Sequence, residues 1–180
     1  MARIAMVAET PEDPRLAAIF EEVTARWPSV PNVYRVLGAA PEMLRGWVDM
    51  AWKLRLDAAT PRRLRELIIL RVAQITASGY EWAHHVPMAR DAGVSEAEVE
   101  GLADWRQVES FSEAERLGLR LAEEVATGPA ATAETIEALK QHFSEPEIVE
   151  LTLTACFYVC VARFLASMDV ELEPGYSSPW

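Results

Sequence analysis

The chain has 180 residues and a mass of 20.1 kDa, enough for one domain that buries its own core without disulfides. Its 28 acidic against 17 basic side chains give a formal charge of -11, which repels a phosphate backbone and argues against nucleic acid as a partner. The opening MARIAMVAETPEDPR has no apolar run of signal-peptide length and mean hydropathy is +0.01, so the expectation is a cytoplasmic protein with no membrane partner.

Helix start signals follow one another along the chain, and strand signals are nearly absent. Asp13-Pro14 and Thr60-Pro61 each offer an N-cap followed by proline at the first helical position, and Pro41 opens a third helix in the same way. Four S-x-x-E capping boxes follow: Ser78 with Glu81, Ser95 with Glu98, Ser112 with Glu115, and Ser144 with Glu147. These signals predict helices over 13–26, 32–38, 41–56, 61–77, 79–92, 95–103, 112–126, 133–142 and 145–168, with Gly93 and Gly128 at C-cap positions. No run alternates with period two between turn residues. The expected class is all-α, with a single domain over 1–180.

Two helices are apolar almost all round, ELIILRVAQITA (66–77) and ELTLTACFYVCVARFLA (150–166), and such helices are expected at the centre with the amphipathic ones around them. Each begins on a Glu-Leu pair, Glu66-Leu67 and Glu150-Leu151, and each follows an amphipathic helix. This suggests a bundle of two weakly related halves, one centred on 60–103 and the other on about 112–170. Arg163 interrupts the second apolar run, which therefore reads as a buried helix and not as a membrane span. Cys156 and Cys160 lie four apart in that helix and are expected to be buried, free, inert thiols.

The densest cluster of polar and ring side chains is ASGYEWAHH, residues 77–85. Glu81 and His85, four apart, share one helix face, and Tyr80 and His84 share the next. His84 and His85 diverge by about 100° and cannot act on one point together. Ser78 and Glu81 already have a sufficient role as a capping box, and Tyr80 and Trp82 suit pocket walls. Glu66 has a structural reason to be present in an ion pair with Arg62 or Arg63. Two histidines and a glutamate are legitimate metal ligands, but adjacent histidines on a helix ligate poorly together, so no metal is expected.

RELIILRVAQITASGYEWAHHVPMARDAGVSEAEVEGL strongly resembles the carboxymuconolactone decarboxylase family, which also contains the AhpD alkylhydroperoxidases. PNVYRVLGAAPEMLRGW before it and FSEPEIVELTLTACFYVCVARF after it resemble the longer members. The resemblance implies an AhpD-like helical bundle. In the alkylhydroperoxidase branch a Glu, two Cys and a His recur at a spacing that here falls on Glu66, Ser78, Glu81 and His85. A serine and a glutamate can neither attack a peroxide nor resolve a sulfenic acid, so thiol peroxidase activity is not expected.

The decarboxylase branch lacks the cysteines and keeps the positions of Glu66 and His85. Resemblance to it implies a lyase with no cofactor, acting on a small carboxylated lactone or enol. His85 would be the general acid or base, Glu66 and Glu81 its catalytic partners, and His84, Tyr80, Trp82 and Arg71 substrate-binding residues. An isomerase, hydratase or cyclase using the same groups, and a non-catalytic family member, are the alternative readings. The resemblance also implies a homo-oligomer, as a dimer, trimer or hexamer. Tyr176 and Trp180 in the tail ELEPGYSSPW are expected to pack on a neighbouring subunit or to cover a pocket.

Overall fold

The computed structural model describes residues 2–180, and among them it contains nine α-helices and no strand. In chain order they are α1 (Pro14–Thr24), α2 (Asn32–Leu37), α3 (Pro41–Trp52), α4 (Arg62–Ile75), α5 (Gly79–Asp91), α6 (Glu96–Gly101), α7 (Glu113–Thr127), α8 (Ala133–Leu139) and α9 (Glu145–Met168). Each falls within a range its start signals predict, apart from the last residue of α7. Asp13 caps α1 by accepting from the Arg15 amide at 2.9 Å, and the boxes at Ser95, Ser112 and Ser144 all close.

Two expected caps are not made. Pro61, not Thr60, immediately precedes α4; the Thr60 amide donates to Glu150 at 3.0 Å and its hydroxyl accepts from buried Arg65 at 3.2 Å. The second failure, at Ser78, belongs to the site described below. The helix expected over 41–56 also changes form, giving way at Lys53–Asp57 to a turn of π-helix. The carbonyl of Arg55 in that turn accepts from Arg62 at 3.0 Å and from Arg65 at 3.2 Å, so side chains of α4 satisfy a backbone group that an uninterrupted α-helix would have bonded itself.

Helix α4 is central, as its all-round apolarity requires. Leu67, Ile68, Leu70, Val72 and Ala73 are wholly buried, and the helix packs against α5, α7 and α9. Helix α9 is different. Leu151, Thr154, Ala155, Tyr158, Val161 and Ala162 are buried, but Val149, Leu153, Cys156 and Cys160 form an exposed stripe at helical spacing. The two cysteines are therefore exposed and not buried: spaced four apart they share a face, and the described residues leave that face open. Helix α9 is long and apolar enough to cross a membrane by length and composition, yet it lies along α4 and α7. Helix α3 meets it through Trp47, packed on Phe157 and Phe164 at ring separations of 5.2 and 5.3 Å.

Two connections place the site. Ala77 adopts a left-handed conformation at φ 50°, which lets the Ser78 amide donate to the Ala73 carbonyl at 2.8 Å and ends α4 sharply. Helix α5 then packs back along α4. At the far end, Asp169 (φ 53°) turns the chain out of α9, and the tail crosses to the start of α5. Gly79 is required there, because a Cβ at that position would run into the Ser178 side chain.

Candidate active site

Glu66 on α4 faces His85 on α5. His85 Nδ1 lies 2.7 Å from Glu66 Oε2, and the other carboxylate oxygen accepts from Arg62 Nε at 2.6 Å. Glu66 is 0% exposed and His85 5%. Burial opposes the charge on Glu66, but His85 and Arg62 outweigh it and hold its pKa below the ordinary carboxylate value. An ionised carboxylate only accepts, so Nδ1 must carry the proton. Burial, helped by the nearby Arg55 and His84 and opposed by Glu66, lowers the His85 pKa. The ring is thus a neutral imidazole whose Nε2 is left as its basic nitrogen. Both reasons offered for Glu66 hold together: it pairs with Arg62 and with His85.

Glu81, one helical turn before His85, does not close the fourth capping box. Ser78 makes no side-chain cap hydrogen bond, and both Glu81 carboxyl oxygens are buried without a hydrogen-bond partner. The expected cap is corrected for a physical reason: the Ser78 amide is already taken by the Ala73 carbonyl, and the Glu81 carboxyl is buried at the wall of a cavity. Burial raises its pKa to about 8, with the Ser78 hydroxyl pulling weakly the other way. At neutral pH Glu81 is a carboxylic acid, while Glu66 is a carboxylate. Neighbouring groups driven to opposite protonation states are what acid–base catalysis requires.

This has a consequence for stability. Unfolded, Glu81 releases its proton near 4.5; folded, near 8, so between those values stability falls as pH rises. His85 works oppositely: its lowered pKa removes stability as pH drops below about 6.5. Between about 6.5 and 8 only the Glu81 effect is left, and it amounts to about 2 kcal/mol. Thermal melts are expected to show a falling Tm across that window in the wild type and a flat one in Glu81→Met. A wild-type Tm independent of pH there would contradict a buried, uncharged Glu81.

His85 and Glu81 line a cavity of about 470 Å³. Its walls include the aromatic rings of Trp27, Tyr34, Trp47, Phe157 and Tyr158, and the Tyr158 ring meets His85 edge-on at 4.9 Å. Tyr80 and His84 line it nearer the tail. The His84 ring is stacked between Tyr80 and Tyr176, at 4.6 and 4.1 Å, and its Nε2 lies 2.7 Å from Glu173. Glu173 also accepts from the Tyr80 hydroxyl and the Asn32 amide, each at 2.5 Å. Those bonds outweigh burial and hold its pKa at about 2. Tyr176 is a wall of the pocket, one of the two roles suggested for the tail aromatics, whereas Trp180 packs edge-on against Trp82 at 5.2 Å, outside the lining.

Two residues expected to bind substrate lie elsewhere. Trp82 does not line the cavity and packs on the cluster that contains Leu67, Leu70 and Val86. Arg71 is held by Gln74 at 2.5 Å, the Leu102 carbonyl at 3.3 Å and Glu123 at 3.2 Å, so its guanidinium is committed to tying α4 to α7 and the turn after α6. An arginine that does line the cavity is Arg55, on the π turn. Sequence reasoning missed it, because LRL reads as part of an ordinary amphipathic helix. Tyr158 was also missed, though a hydroxyl inside CFYVC was a usable signal. Among the described residues no three His, Cys, Asp or Glu side chains gather as a metal site.

Residues 41–124 match the carboxymuconolactone decarboxylase family. The uncharacterized protein YdfG of Bacillus subtilis (strain 168) is 28% identical over 116 residues, spanning 63% of this chain and 78% of its own length. Among solved structures, the AhpD core of a peroxidase-related protein from Ralstonia eutropha JMP134 superposes with a TM-score of 0.83 at 18% identity, covering 96% of this chain and 93% of that one. A single-residue variant of the debrominase Bmp8, in complex with 2,3,4-tribromopyrrole, superposes with a TM-score of 0.81 at 19% identity, covering 97% and 93%. At these identities the superpositions establish an AhpD-like helical fold.

Proposed function

We propose, from the match of residues 41–124 to the carboxymuconolactone decarboxylase family, that this chain is a cofactor-independent carboxy-lyase acting on a small carboxylated lactone or enol-type metabolite. The observation that carries the reading is the meeting, on one cavity wall, of a neutral His85 backed by Glu66 and an uncharged Glu81. In the reaction the bond from the ring to the carboxylate breaks and its electron pair enters the conjugated system. Carbon dioxide leaves, and the resulting dienolate takes a proton at carbon. Glu81 supplies that proton, and the imidazole, held by Glu66, returns one from water. A cavity of about 470 Å³ with aromatic rings in its walls suits a small planar substrate. The debrominase of like fold, whose structure holds a substituted pyrrole, supports that size and shape.

A second reading is favoured by the same pair of groups. A base and an acid side by side can move a proton from one carbon to another without losing carboxylate, which would make the protein an isomerase. Thiol peroxidase chemistry has little support: Ser78 and Glu81 stand at the cysteine positions, and Cys156 and Cys160 face outward from α9. We read the protein as a homo-oligomer, supported by the apolar side chains it exposes, Met43 and Met50 on α3 with Val149 and Leu153 on α9.

The test is incubation of the purified protein with a panel of carboxylated lactones and unsaturated keto acids, followed by product mass and released carbon dioxide. Loss of carbon dioxide from one of them is expected. A product of unchanged mass would favour the isomerase, and no turnover of any member would sink both readings.

A further inference from the structure

One wall of the cavity carries a charge that no carboxylate among the described residues balances. Arg35 reaches Glu9 at 3.7 Å, Glu173 is held by His84, Tyr80 and Asn32, and Glu66 behind the wall is shared between Arg62 and His85. Arg55 has a polar neighbour in Tyr34 but, among the described residues, no carboxylate partner. Its Nε is buried without a hydrogen bond, and among the described residues no carboxylate forms an ion pair with it. Its guanidinium carbon lies 5.1 Å from the centre of the Trp27 ring. Burial opposes its charge, but the neighbouring Tyr158, Tyr34 and Glu66 outweigh it and keep the group a cation. A half-buried cation without a counter-ion is poorly compensated unless something else supplies the charge.

The position is also a built one. The π turn aims the side chain into the cavity, and Arg62 and Arg65 hold the Arg55 carbonyl from α4. Arg62 also pairs with Glu66, so the arginine's backbone and the His85–Glu66 pair are fixed by one side chain. Clamping the departing carboxylate with an arginine would stabilise the ground state and slow its loss, because the charge leaves that group in the transition state. The cation is better matched to an anionic group that stays on the molecule.

We propose that Arg55, flanked by Tyr34 and Tyr158, is the subsite for a carboxylate that the reaction does not consume, on a small planar ligand whose ring lies between the aromatic walls. This rests on the cavity being the substrate site, and it narrows the substrate to acids that keep one carboxylate in the product. The product itself then binds, so the protein is inhibited by its own product and by flat aromatic acids.

The experiment uses benzoate and its neutral isostere benzamide, titrated calorimetrically into the full chain. Benzoate is expected to bind at least about ten-fold more tightly than benzamide, one charge-assisted contact being worth that much. Arg55→Met should abolish the difference and Arg55→Lys should keep part of it, while Arg90→Met, on the exposed face of α5 outside the cavity, should leave benzoate affinity unchanged. Equal affinity of the two probes for the wild type, or no benzoate binding, overturns the subsite without recourse to any variant, so a variant that fails to fold does not rescue it. Benzoate affinity unchanged in folded Arg55→Met overturns it as well. The two proposals fail separately: turnover that needs His85 but ignores Arg55 leaves the enzyme and removes the subsite, whereas Arg55-dependent benzoate binding with no turnover of any acid does the reverse.

Discussion

Replacing His85 with Asn is expected to lower kcat by about 10²- to 10⁴-fold, the usual contribution of a positioned acid–base group. Asn fills part of the same space and can still donate to Glu66, so the far-ultraviolet spectrum and the melting temperature should change little. That separation matters, because His85 is buried between two packed helices and a variant that melted early would lose activity for an uninformative reason. The pH profile makes the expectation sharper. The reaction needs His85 neutral and Glu81 protonated. On the acid side the rate falls only below a point lower than the ordinary histidine value, since burial has pushed that group down. On the alkaline side it falls through about 8, where Glu81 gives up its proton. Glu81→Gln should lose rate and lose that alkaline limb with it. Full activity in His85→Asn, or an alkaline limb unchanged in Glu81→Gln, would remove the respective residue from the chemistry.

Glu66→Ala is expected to be the most destabilising single change in the site, at about 2–3 kcal/mol, because it leaves the buried His85 Nδ1 proton without an acceptor and half-buried Arg62 without its counter-charge. Arg62 loses its 2.6 Å partner and the His85 Nδ1 proton loses its acceptor. Against a total stability of order 5–15 kcal/mol, such a loss is a large and readily measured fraction. Glu66→Gln keeps the shape and one acceptor, so it should cost less. It also removes the negative charge that partly supports protonation of His85, so the acid limb of the rate should move to still lower pH. Urea unfolding at pH 7 measures the first effect and the rate profile the second. A loss below about 1 kcal/mol in Glu66→Ala would mean that the pair contributes to catalysis and hardly to the fold.

What could be read along the chain was what depends on neighbours within about four residues. Caps, prolines and apolar periodicity placed all nine helices, since each signal acts on the backbone beside it. Glu66 and His85 were legible for a related reason: they sit at a spacing that the family resemblance marks, and a sharp reversal at Ala77 brings α5 back along α4. Where the local signal was honoured or refused was a tertiary matter. Ser95 and Glu98 close their box, while Ser78 and Glu81 carry the same pattern and do not, because the Ala73 carbonyl has taken the Ser78 amide and the Glu81 carboxyl is buried at the wall of a cavity.

The same division explains the other differences. Composition made α9 look buried on every side, yet only the packing of α4 and α7 and the rings of α3 decides which of its faces is covered, and Cys156 and Cys160 lie on the one that the described residues leave open. Arg71 and Arg55 are alike as sequence: each is an arginine within an apolar stretch. Glu123, about fifty positions along the chain, takes the first, and a π turn held by Arg62 and Arg65 sends the second into the cavity. Helix formation is short-ranged and was written in the residues themselves. Which buried charge finds a partner depends on groups far apart in the chain, and the folded bundle alone brings those together.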